Sequence, residues 1–112
     1  MSYIKTNKLE YTLTSHKIGL KKVIENQGMD SLIPQIAIGL LKKNEKIATH
    51  KHPSMIEYYY ITKGKGEFII DSEIFYSEAG DFIKVQNDIN HSIRATEDLE
   101  FFYFGLNTEK NE

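Results

Sequence analysis

The chain breaks into nine short apolar runs rich in β-branched and aromatic residues, with turn-forming residues between most of them. The runs are 20–24 (LKKVI), 33–41 (IPQIAIGLL), 46–50 (KIATH), 55–62 (MIEYYYIT), 67–70 (EFII), 73–77 (EIFYS), 81–86 (DFIKVQ), 89–95 (INHSIRA) and 99–106 (LEFFYFGL). Such segments suit a pleated, half-buried surface better than a helix. Pro53-Ser54, Gly64-Lys65-Gly66, Asp71-Ser72, 78–81 (EAGD) and 86–88 (QND) punctuate them. Many short strands separated by turn chemistry predict an all-β barrel or sandwich. One helical pattern competes, because Leu20, Val23 and Ile24 have helical spacing; the run is short and Gly28 follows, so a strand leading into a loop is equally compatible. The polar end, 107–112 (NTEKNE), is expected to fray.

Length and charge narrow the function classes. At 112 residues the chain suits one domain with one modest core, residues 1–112. A net charge of -2 without a basic cluster argues against nucleic acid or an anionic membrane as a partner. No run approaches the ~18 apolar residues of a membrane span and the first twenty residues lack a signal-like core, so a soluble, cytoplasmic protein is expected. The chain has no cysteine, so any metal must be held by nitrogen and oxygen.

Two of the four histidines stand one residue apart, at His50 and His52. On a strand, such residues project to one face and can aim two imidazoles at one point. Pro53 bends or ends that strand, and the turn can bring Glu57 back beside them. Strict alternation then places Glu57, Tyr59 and Ile61 on one face and Tyr58, Tyr60 and Thr62 on the other. A carboxylate sharing an apolar face needs its charge compensated, and a divalent cation would do that.

The order His50, His52, Glu57, Gly64 resembles the first motif of the cupin superfamily, and Gly80 with His91 resembles the second. The resemblance covers about 40–95, with motif 1 near 44–64 and motif 2 near 80–95. It implies a jelly-roll barrel of two antiparallel sheets and one metal ion held by His50, His52, Glu57 and His91. The chain departs from the family pattern in three places: Asn44 replaces a glycine, 86–88 (QND) replaces a Pro-x-Gly turn, and Ala95 replaces an asparagine. Asparagine and aspartate tolerate left-handed backbone, so the turns are expected to survive.

Three imidazoles and a carboxylate suit Fe, Mn, Ni, Co or Zn as the divalent ion. One carboxylate against a doubly charged cation leaves the site cationic, which favours an anionic or enolisable oxygen ligand. The function expected is a metal-dependent enzyme of oxygenase, isomerase or lyase type acting on a small polar metabolite. The alternative is a non-catalytic, metal-dependent binding or sensor module for a sugar or organic acid. Tyr59 is the candidate acid or base, whereas His16 and Arg94 are expected to be surface or paired residues. The unbroken aromatic run 101–104 (FFYF) predicts burial on both faces, one walling the pocket and one packing in a homodimer with Tyr58 and Tyr60.

Overall fold

The computed structural model describes residues 3–108. After a 3-10 turn at Thr6–Lys8 come ten strands: β1 (Thr12–Leu13), β2 (Leu20–Asn26), β3 (Gln35–Leu41), β4 (Lys46–His50), β5 (Met55–Lys63), β6 (Lys65–Ile70), β7 (Glu73–Glu78), β8 (Phe82–Val85), β9 (His91–Ala95) and β10 (Leu99–Asn107). They form two antiparallel sheets, ordered β1-β2-β3-β10-β5-β8 and β4-β9-β6-β7. This is the all-β architecture that the runs predict and the two-sheet jelly roll that the cupin resemblance implies. All nine runs became strands; β1 is too short to carry a pattern. The segment with helical spacing is strand β2, which hydrogen-bonds along β3 with a bulge between Val23 and Glu25. Pairing outweighs its weak helical periodicity.

Alternation builds the core. Leu41, Tyr59, Ile61, Ile83, Val85, Leu99 and Phe101 from the larger sheet meet Ile47, Phe68, Ile93 and Ala95 from the smaller, all buried. On β5, Tyr59 and Ile61 point inward while Tyr60 and Thr62 are exposed, as alternation requires. Tyr58 lies outside and stacks on Phe104 with ring centroids 5.0 Å apart. In the FFYF run, Phe101 is buried, whereas Phe102, Tyr103 and Phe104 are half-buried, so the outward burial expected there is only partial within one chain.

The substituted turns keep the geometry. Asn44 has φ 76° and its N–H donates to the Ala95 carbonyl at 2.8 Å, while Asp88 has φ 65°. These are left-handed positions that Asn and Asp tolerate. Asp71 and Ser72, at φ 49° and 74°, make the two-residue turn between β6 and β7, a hairpin geometry that matches strand twist. Strand β10 runs through Asn107, whose Nδ2 donates to the Met29 and Ser31 carbonyls at 2.9 and 2.7 Å, so the fraying expected from 107 does not begin there. Residues 109–112 lie outside the described residues. Among the described residues, no helix is long and apolar enough to cross a membrane.

Candidate metal centre

His50 ends β4 and His91 opens β9, and the two are direct cross-strand partners in the smaller sheet. Glu57 comes from β5 in the larger sheet, facing the gap between the layers. His52 arrives differently from the expectation. Strand β4 stops at His50, so His52 sits in the loop before Pro53, and loop geometry, not strand alternation, turns its ring inward. That loop is pinned: the Asp88 N–H donates to the His52 carbonyl at 2.7 Å and Asn87 Nδ2 donates to the Pro53 carbonyl at 3.2 Å.

One donor atom from each of His50, His52, Glu57 and His91 lies within 4.8 Å of the others. Around an octahedral ion with bonds of about 2.1 Å, neighbouring donors stand about 3.0 Å apart and opposite ones about 4.2 Å. The cluster is therefore close to chelating dimensions. Its hydrogen bonds also select the right atoms. His50 Nδ1 lies 2.8 Å from the Ala48 carbonyl and His91 Nδ1 lies 2.9 Å from the Ile89 carbonyl. A carbonyl only accepts, so each Nδ1 carries the proton and each neutral ring presents the Nε2 lone pair. His91 Nε2 then faces Glu57 Oε1 at 3.0 Å, lone pair against carboxylate. Only a cation reconciles those two groups, either a proton or a metal ion.

The electrostatics fit the same picture. Burial alone would raise the Glu57 pKa, but hydrogen bonds from His91 and Tyr59, with the charge of His52, hold it below the usual range. Burial lowers His50, partly offset by the Ala48 carbonyl. For His91 burial acts downward too, and the hydrogen bond and charge of Glu57, with the Ile89 carbonyl, outweigh it and raise the pKa.

Tyr59 donates its hydroxyl proton to Glu57 Oε1 at 2.7 Å from a buried position. Burial, then the Glu57 charge, pushes its pKa well above 10, so it stays a donor at neutral pH. Tyr103 stacks on Tyr59, and burial with the Glu57 charge raises it to about 12. Arg94 points away from the cluster and pairs with Glu67 at 3.4 Å, as expected of a surface charge.

His16 is exposed, as expected of a surface histidine, but it also stands beside the cluster, which spacing does not reveal. It lies in the β1–β2 hairpin loop, closed by the Thr14 N–H donating to the Gly19 carbonyl at 3.2 Å, and its ring centroid is 4.4 Å from that of His50. Burial lowers its pKa, and the charges of His52, His91 and Lys21 act in the same direction against Glu57. Only a loop folding across the barrel mouth brings it there; a lone histidine in a turn carries no signal of that. Beyond the four donors opens a cavity of about 380 Å³, walled by Leu41, Ile47, Ile93 and Phe101.

Comparisons with known proteins agree with this architecture. Protein SchB of Streptomyces halstedii is 28% identical over 65 residues, 58% of this chain and 47% of that protein. The chain spans less than half the length of the curated relatives it matches. A predicted oxalate decarboxylase from Thermotoga maritima superposes with TM-score 0.85 at 22% identity, covering 95% of this chain and 99% of that one. Ectoine synthase from P. lautus superposes with TM-score 0.80 at 13% identity, covering 98% and 80%. At these identities the structures share a fold, which is all they establish. A family model described as a cupin domain matches residues 37–105, the span from β3 to β10 that holds both motifs; the chain therefore belongs to the cupin family.

Proposed function

We propose that this cupin is a metal-dependent enzyme of oxygenase, isomerase or lyase type, acting on a small polar metabolite. The observation that carries the reading is the convergence of His50, His52, Glu57 and His91, from both sheets and one loop, on the edge of a cavity. A divalent ion of Fe, Mn, Ni, Co or Zn bound there supplies Lewis acidity and coordination positions for an oxygen ligand. The protein's own groups do the rest. The Ala48 and Ile89 carbonyls fix two imidazole tautomers, Tyr59 orients the Glu57 carboxylate, and the apolar walls limit water. A homodimer belongs to the same reading, through the outer aromatic face of Tyr58, Tyr60, Phe82 and Phe104, and light scattering measures it directly.

The test is a panel of 2-oxo acids, uronates and catechols, with and without dioxygen, before and after chelation. Turnover that disappears with the metal supports the enzyme. Saturable, metal-dependent binding with no product identifies the binding module, and turnover indifferent to chelation sinks both. Tyr59→Phe gives a second measurement. The ring remains and only the bond to Glu57 is lost, so metal affinity is expected to fall about 10- to 100-fold in a folded protein. Unchanged affinity with collapsed turnover would instead make Tyr59 the acid or base.

A further inference from the structure

Lys21 is a cation where an inward strand position should be apolar. It pairs in register with Gly39 on β3, and Gly39 pairs with Phe101 on β10, whose ring lies over the glycine. Cross-strand partners share a face, so Lys21 projects to the same side as buried Phe101. The residue is half-buried. It donates to Gln35 Oε1 at 2.8 Å, and both residues line the cavity that holds the histidine cluster. Gln35 is neutral, and among the described residues Lys21 makes no ion pair.

Register also sets the spacing. Phe104 pairs with Ile36, so the next positions, Gln35 and Gly105, stand level, and Gly105 pairs with Glu57 on β5. Gln35 and Glu57 are thus on one row, two strand spacings or about 10 Å apart at the backbone. The residue between them has no side chain, and the Met55 thioether covers its place. Lys21, fastened to Gln35, therefore faces the Glu57 cluster across an apolar floor. Of the cavity's formally charged side chains, Glu57 is bound into the cluster and Lys21 lacks an anion.

We propose that Lys21 and Gln35 form an anion subsite that takes a carboxylate of the ligand while another oxygen of the same molecule faces the histidine cluster. This rests on the metal-dependent reading and narrows its substrate class to small organic acids with a second oxygen function a few carbons from the carboxylate. Amide-held ammonium groups bind carboxylates through charge-assisted hydrogen bonds.

Calorimetric titration with malonate, succinate and glutarate, and with neutral succinamide, tests it on parent, Lys21→Met and Lys21→Arg proteins, metal-loaded and chelated. At least one diacid is expected to bind the loaded parent, with succinamide much weaker. Lys21→Met, which keeps the stem, should weaken that diacid by about 10- to 150-fold, with metal content unchanged; Lys21→Arg should retain most of it. Binding by no diacid, equal binding by Lys21→Met, or succinamide binding as well as succinate would each overturn the subsite. The chelated arm separates the two ideas. Dependence on Lys21 without dependence on metal keeps the subsite and removes the metal reading, whereas dependence on metal alone does the reverse.

Discussion

Untagged protein carrying His50→Ala with His52→Ala is expected to leave purification with divalent metal near background, while the parent carries about one ion per chain. Two of four converging donors are lost, and the remaining pair, Glu57 and His91, satisfies itself by a hydrogen bond at 3.0 Å. Both replaced rings are only half-buried and belong to no core contact set, so the barrel itself should fold. Stability reads the same event. A ligand at 100 times its Kd stabilises the folded state by about 2.7 kcal/mol, which for a chain near this size raises Tm by roughly 10 °C or more. Metal returned to chelated parent should shift it by that amount, and metal added to the double variant should leave it where it was. A double variant that retains stoichiometric metal would place the ion elsewhere.

Gly64→Ala should have the largest effect on stability of any glycine-to-alanine change among the described residues. Gly64 joins β5 to β6 at φ +84°, left-handed backbone that costs an alanine roughly 1–2 kcal/mol. An added Cβ would also overlap the backbone carbonyl oxygen of Asp98. That carbonyl has little freedom, because the N–H groups of Thr96 and Glu97 both donate to the Lys65 carbonyl and Leu99 is fully buried. Overpacking of this kind adds about 1–3 kcal/mol, so the total is about 2–5 kcal/mol and a Tm fall of roughly 10 °C or more. Gly28→Ala is the control, since Gly28 has φ +94° with nothing within 4 Å of the added methyl. Thermal melts in which the two variants fall equally would refute the steric part of this account.

The contrast between those glycines shows what the sequence makes legible. Gly64 stands at its motif spacing after Glu57, but the reason for it, the Asp98 carbonyl brought in by the β9–β10 connection, comes from 34 residues further on and leaves no local mark. The strands are readable because alternation and β-branched residues record which side of each faces the core, and β5 alternates buried and exposed from Tyr59 to Thr62. The clustering of His50, His52, Glu57 and His91 is legible because motif spacing survives where turn residues change, as Asn44 and Asp88 demonstrate by taking left-handed backbone. His52 reaches the cluster by a route that alternation does not predict: the strand ends two residues earlier and a pinned loop aims the ring. His16 and Lys21 were illegible. Each enters the cavity through the β1–β2 hairpin, and β1 is two residues long, too short for any periodic signal.

X-ray absorption at the metal edge of zinc-loaded protein tests the central claim most directly, because it counts the donors around the ion without reference to activity. Three imidazole nitrogens and one carboxylate oxygen at about 2.0–2.2 Å are the expected first coordination sphere, with multiple scattering from three rings. A spectrum with one imidazole or none, the sphere filled by water oxygens, would contradict the convergence of His50, His52, Glu57 and His91 on a single ion.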